Sequence, residues 1–283
     1  MTYFMSILMG IIQGVAEFLP ISSSGHLALF QTFFGMENME EKYMFFTVLL
    51  HFGTLISVCM VYWRDIVDMI REFFLGIAAL AGRKDTGVAP PPARRMVMLI
   101  IIATVPLFVM VFLQDAVNQL FSNSIMVSCA LLATGFILFF SDRMARGHKT
   151  AKNATVVDAL LVGCAQAVAV IPGLSRSGTT ISVGMMRGFD RAFAVRFSFL
   201  MSLPAVLGAN VLEIKDALAS NFPIEELPMY LVGVAVSAVV GYFAIRLVKS
   251  LSDKGKFGKF AYYCWAVGLG SLVAGIVKMM LLK

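Results

Sequence analysis

The segment "QGVAEFLPISSSGH", residues 13–26, sets chemistry into a run that is otherwise apolar. Gln13 and Glu17 stand four residues apart and so share one face of a helix. A carboxylate inside an apolar run is costly and faces, as a rule, the protein interior or a water-filled cavity. After Pro20 come Ser22, Ser23, Ser24, Gly25 and His26. A serine with a histidine near it can act as nucleophile and base, although serines at a helix start also serve as caps. Gly25 permits a tight turn or a close backbone approach.

A second segment, "PGLSRSGTT", residues 172–180, breaks another apolar run. Pro172, Gly173 and Gly178 shape a turn, Ser175, Ser177, Thr179 and Thr180 supply hydroxyls, and Arg176 supplies a fixed cation. Turn N–H groups next to a helix start attract anions, and arginine holds two phosphate oxygens at once. The plainer alternative is an arginine that only neutralises Glu17. An acid pair, a nucleophile, a histidine and an anion clamp together suit phosphoryl transfer, in which positioning and charge stabilisation do most of the work. Neither GxxxxGK[ST] nor HExxH occurs, so ATP and zinc-protease chemistry have no support. His51 and His148 carry no such constellation: one reads as a packed or interfacial residue, the other as a loop residue.

Of the 283 residues, 59% are hydrophobic and 14% charged, with a mean hydropathy of +0.84. Soluble domains carry ~25% charged residues, so the chain reads as a polytopic membrane protein. Its net charge of +6 then marks cytoplasmic loops and not nucleic-acid binding. The first basic residue is Lys42, so a cleavable leader with a basic start is not expected. Cys59, Cys129, Cys164 and Cys264 lie scattered in apolar runs without metal or disulfide spacing.

Apolar runs cover residues 3–20, 43–63, 96–113, 125–141, 155–172, 193–213, 228–248 and 260–282, with shorter ones near 27–36 and 180–189. Residues 66–82 mix charged and apolar residues and suit a membrane interface. At a constant offset of 153, Gly10–Gly25 and Gly163–Gly178 share seven of sixteen residues, including Gln13 with Gln166, Ser22 with Ser175 and Ser24 with Ser177. Gly35 with Gly188 and Phe46 with Phe199 match at the same offset. Lys and Arg crowd the loops at 83–95, 142–154 and 246–259, which should be cytoplasmic. Segments 114–124 and 215–227, and both termini, should then be outside. The expected fold is all-α and polytopic, an inverted-topology repeat of two five-segment halves, residues 1–150 and 151–283, that form one membrane domain. Each half holds a re-entrant broken-helix hairpin, and the two serine turns meet near the midplane.

These two motifs closely resemble the signature regions of undecaprenyl-diphosphate phosphatases, the bacitracin-resistance family, and the resemblance runs over essentially the whole chain. The family's (E/Q)xxxE is matched by Gln13 and Glu17, in its glutamine form. Its hydroxyl–glycine–histidine turn falls on Ser22, Ser23, Ser24, Gly25 and His26. Its PGxSRSxxT falls on Pro172, Gly173, Ser175, Arg176, Ser177 and Thr180. The resemblance implies removal of one phosphate from a polyprenyl diphosphate lipid, to give the monophosphate carrier of cell-wall synthesis. It implies a divalent cation, Mg²⁺ or Ca²⁺, bound by Glu17 with Gln13 beside it, and a site open to the outer face of the bacterial cytoplasmic membrane. Arg176 would clamp phosphate, Glu17 would bind metal or move protons, and Ser23 would attack with His26 as base or acid. Water remains an alternative nucleophile. Gln13, Ser22, Ser24, Gly25, Gly173, Ser175, Ser177 and Thr180 would line the substrate. The number of copies is left open, a homodimer among the options. A transporter or flippase for a phosphorylated lipid is the competing reading, because paired broken helices are typical of transporters. An intramembrane serine protease would leave Arg176 and the acid pair without a task.

Overall fold

The structure, a computed structural model, describes residues 1–26, 29, 44–82, 90–113, 117, 119–120, 123–219 and 224–281. Eleven α-helices organise these residues, and the only pairing of extended backbone among them is an isolated parallel bridge between Lys149 and Phe189. They are α1 (Tyr3–Phe18), α2 (Met44–Val61), α3 (Trp63–Gly82), α4 (Pro92–Thr104), α5 (Leu107–Val111), α6 (Ser124–Met144), α7 (Val156–Val168), α8 (Arg176–Met186), α9 (Arg191–Ala219), α10 (Leu227–Asp253) and α11 (Phe260–Leu281).

Five segments are long and apolar enough to cross a membrane: Pro92–Val111, Ser124–Met144, Arg191–Gly208, Ile224–Asp253 and Phe257–Leu281. α2 and α3 meet at a bend of 87°. The chain is a multi-pass membrane protein. α1 and α7 have 16 and 13 residues, about 24 and 20 Å at 1.5 Å per residue, shorter than the ~30 Å hydrocarbon core. Each is too short to cross that core alone, and each ends next to a serine turn.

Local chemistry sets these boundaries. The Thr2 hydroxyl accepts from Met5 N–H at 3.3 Å to start α1. Thr155 and Asp158 form a reciprocal capping box at α7, which satisfies two orphan donors. Ser175 caps α8, so this helix begins at Arg176, four residues before the apolar run near 180. The run 96–113 divides at Val105–Pro106, because proline lacks the N–H that would continue α4. The run near 27–36, which corresponds in the first half to the run near 180–189 in α8, lies outside the described residues except for Leu29.

The helices meet through small residues. α1 packs on α10, α2 on α10 and α9, α7 on α4, and α6 on α8 and α11. A methyl at Gly10 would sit 2.6 Å from the Gly233 carbonyl oxygen, and one at Gly163, 153 residues on, 2.3 Å from that of Ala103. Hydroxyls join the same surfaces: Ser57 donates to the Ala238 carbonyl at 2.8 Å, Ser237 to that of Leu50 at 3.1 Å, and Ser141 to the Ser182 hydroxyl at 2.8 Å. Small side chains and interhelical hydrogen bonds are what bind helices where lipid removes the hydrophobic drive.

The basic loops are tied together at one end. Fully buried Asp158 accepts from Lys149 at 2.8 Å and pairs with Arg187 at 2.9 Å, and Asp142 pairs with Arg191. From the Lys/Arg asymmetry this end is expected to be cytoplasmic. In a background with the native cysteines replaced, Arg146→Cys and Lys254→Cys should resist an impermeant maleimide added to intact cells, whereas Ile224→Cys should label. The reverse pattern would overturn this orientation.

Candidate active site

Glu17 sits in the last turn of α1, on the face it shares with Gln13. The Gln13 amide donates to one carboxylate oxygen at 3.2 Å, and Arg176, the first residue of α8, pairs with the other. The Glu17 side chain is 6% exposed and that of Arg176 26%. The carboxylate is therefore enclosed while the guanidinium stays partly exposed. A buried charge without a partner costs several kcal/mol, and this pairing meets that demand from opposite ends of the sequence.

The two serine turns come into direct contact. A methyl at Gly25 would lie 2.8 Å from the Gly173 Cα, and one at Gly178 3.1 Å from the Pro20 Cβ. Ser177 donates to the Leu19 carbonyl at 3.4 Å. Thr134 of α6 braces the second turn, donating to the Gly173 carbonyl at 3.0 Å and accepting from Ser175 N–H at 3.2 Å. Gly173 has φ +95°, and a Cβ there would stand 2.4 Å from the Val127 carbonyl oxygen. Conformation and space both require glycine.

The serines repeat one pattern. Gly25 N–H donates to Ser22 Oγ at 3.1 Å, and Gly178 N–H donates to Ser175 Oγ at 3.1 Å. Ser22 and Ser24 hydroxyls lie 3.4 Å apart, those of Ser175 and Ser177 3.3 Å. Ser22 and Ser175 are thus the caps of their turns. They differ in backbone: Ser22 is left-handed, φ +67°, and Ser175 extended. A left-handed non-glycine residue costs roughly 1–2 kcal/mol, a strain of the kind that gathers at functional sites.

His26 makes no hydrogen bond to Ser23 among the described residues. Its Nδ1 lies 2.8 Å from the Ser22 carbonyl and its Nε2 2.9 Å from the Tyr263 hydroxyl. A carbonyl only accepts, so Nδ1 carries the proton and Nε2 accepts from the phenol. The Tyr263 ring stacks on the imidazole, centroids 5.6 Å apart. Among the described residues nothing holds the half-buried Ser23 hydroxyl. Thr180 is buried, with its hydroxyl 2.6 Å from that of Ser198, so it braces α8 against α9.

His51 belongs to the site although its sequence context gave no sign of it. From α2 it places Nδ1 3.1 Å from the Gln13 amide nitrogen and 3.9 Å from Glu17. The amide nitrogen donates, so the proton of the neutral ring is on Nε2. Thr134 and Tyr263 were missed in the same way. The matched positions at the 153-residue offset held no signal for any of the three, since each reaches the site from a separate helix.

The family model described as "Bacitracin resistance protein BacA" matches residues 6–270. An undecaprenyl-diphosphatase of Alkaliphilus metalliredigens is 41% identical over 269 residues, which cover 95% of this chain and 97% of that protein. One from Halothermothrix orenii is 40% identical, covering 98% and 100%. One from Methanosphaera stadtmanae is 37% identical, covering 96% and 98%.

The turn geometry makes Gly173 the most constrained position of the site. Gly173→Ala should lower stability by about 1–3 kcal/mol, seen as a drop of several degrees in melting temperature. Gly208→Ala is the control, since a methyl there meets nothing within 4 Å. Equal melting of the two variants would show that the second turn tolerates a side chain.

Proposed function

Since the chain belongs to the bacitracin resistance protein BacA family, we propose that it is an undecaprenyl-diphosphate phosphatase. It takes undecaprenyl diphosphate, or a related polyprenyl diphosphate, and releases the terminal phosphate. One water is consumed: the P–O bond between the bridging oxygen and the terminal phosphorus breaks, and the polyprenyl monophosphate leaves. The product is the carrier lipid of cell-wall synthesis, and its recycling gives the bacitracin resistance of the family's name. The observation that carries this reading is the Arg176 guanidinium, set at a capped helix start beside Glu17 where the two serine turns meet. Relatives that match nearly the whole chain are named for this activity.

The residues present divide the work as follows. Arg176 changes partner from Glu17 to phosphate and, with the first N–H groups of α8, stabilises charge on the transferred group. Ser22 and Ser175 hold the turns, and Ser24, Ser177, Gly25 and Gly173 complete the walls. Thr180 supports the cradle from behind. The attacking oxygen is that of Ser23 or of a water. His26, whose Nε2 is bare of hydrogen, is oriented to take or return a proton when Tyr263 yields. His51 presents Nε2–H to phosphate, and Gln13 fixes that tautomer.

A divalent cation, Mg²⁺ or Ca²⁺, fits this set. Among the described residues no three His, Cys, Asp or Glu side chains gather to hold a metal, so no all-protein cage is offered. Magnesium is usually bound by one or two carboxylates together with substrate phosphates, and Glu17 with Gln13 supplies that kind of partial site. When bound, the ion would neutralise charge on the diphosphate. Its arrival would also occupy the carboxylate that Arg176 leaves.

In this reading the two halves are an inverted repeat, the first hairpin opening outside and the second inside. The site faces the outer leaflet of the cytoplasmic membrane, where the lipid tail stays in hydrocarbon while the diphosphate reaches the turns. The matching Ser22–Gly25 and Ser175–Gly178 hydrogen bonds and the paired glycine contacts at the 153-residue offset support it.

Purified protein with farnesyl diphosphate and Mg²⁺ should release inorganic phosphate, lose that activity in excess chelator and regain it on addition of cation. Tight lipid binding without release would sink the phosphatase reading in favour of a carrier. Arg176→Lys should be nearly as inactive as Arg176→Ala, a loss of ~10²–10³ in turnover, because an ammonium cannot copy the two-oxygen grip. More than about a third of parent activity in the lysine variant, at an unchanged melting temperature, would leave only a diffuse charge effect.

A further inference from the structure

Helix α3 carries no residue of the site, yet its exposed side chains are sorted too well for a plain connector. Trp63, Val67, Ile70, Phe74 and Ile77 recur at helical spacing and are between 42% and 64% exposed. A second face turns to the protein: Ile66 and Met69 pack against the core, Asp65 pairs with Arg196 at 3.3 Å and Glu72 with Arg94 at 3.0 Å. A third face holds Arg64, Asp68 and Arg71, all exposed. Three faces with three surroundings suit a helix that touches protein, hydrocarbon and water at once.

The bend says where that is. α2 is apolar and 18 residues long, and α3 leaves it at 87°. If α2 follows the membrane normal, α3 lies in the membrane plane. Its contacts fix the side: Arg196 is near the start of α9 and Arg94 near the start of α4, both next to the basic loops. Trp63 stands at the elbow, and tryptophan favours the membrane–water boundary. The polar face has two cations and one anion, so the apolar stripe, and not attraction to acidic headgroups, supplies the affinity.

We propose that α3 is an anchor seated at the headgroup–acyl boundary of the cytoplasmic leaflet, its stripe from Trp63 to Ile77 buried among acyl chains. It holds the inner end of α2 at a set depth, and α2 carries His51. The proposal depends on the orientation of the chain and not on its activity.

Trp265→Phe leaves Trp63 as the sole tryptophan, since the chain has two. In phosphatidylcholine–phosphatidylglycerol vesicles, lipids brominated near the headgroup should quench Trp63 about twofold or more better than lipids brominated near the chain ends. Stronger quenching by the deep bromines would make α3 a spanning segment and overturn the proposal. Quenching by aqueous iodide alone would put the stripe in water and overturn it as well. Should Trp265→Phe fail to fold, single cysteines answer the same question. Arg64→Cys, Asp68→Cys and Arg71→Cys should label with an impermeant maleimide in inside-out vesicles, while Val67→Cys, Ile70→Cys and Phe74→Cys stay protected. Uniform labelling, labelling from the outer side, or a disulfide-linked dimer through Phe74→Cys would each show that another environment covers the stripe.

Discussion

The pairing of Glu17 with Arg176 is the constraint around which this protein is arranged. Both charges sit in chain segments of membrane character, and the Glu17 side chain is almost fully enclosed. Neither is tolerable alone. They are carried by different segments, 159 residues apart, so satisfying them brings the end of α1 and the start of α8 to the same point. The contact of the serine turns, the glycine at 173 with its positive φ and the bracing by Thr134 all serve that convergence. Irregular backbone between apolar segments is stable only when protein encloses it, and here the two turns pack against each other.

The rest of the packing follows from how close the backbones must come. Two short helices, α1 and α7, need neighbours near enough to seal their ends. Glycines at 10 and 163 let α10 and α4 approach to contact distance, and serines convert the approach into hydrogen bonds. At the opposite end the charges are again paired, Asp158 with Lys149 and Arg187, Asp142 with Arg191. The exposed surface is left to apolar side chains, as a lipid-facing surface requires.

The same pair also sets the chemistry. Arg176 and Glu17 neutralise each other in the structure; under the proposed function, a diphosphate with a divalent ion would give each of them a new partner. His26 and His51 are each held in one tautomer, by Ser22 with Tyr263 and by Gln13. The donors and acceptors of both rings are thereby fixed by the protein itself.

Much of this was legible in the chain alone. Apolar runs of membrane length, the Gln13–Glu17 spacing, the two serine turns and the arginine between serines are local patterns, and local patterns survive in sequence. So were the basic loops and the mixed character of residues 66–82. The pairing of Ser23 with His26 looked equally natural on paper, but the histidine's ring nitrogens go to Ser22 and Tyr263. His51, Thr134 and Tyr263 had no motif around them. Their place in the site comes from α2, α6 and α11 being brought beside the turns, which depends on interhelical glycine and hydroxyl contacts far apart in the chain. The sequence determined which segments enter the membrane and which residue types could meet a phosphate. Only the tertiary structure decided which nitrogen faces which oxygen, because that choice is made by the close approach of whole helices and not by the spacing of neighbours.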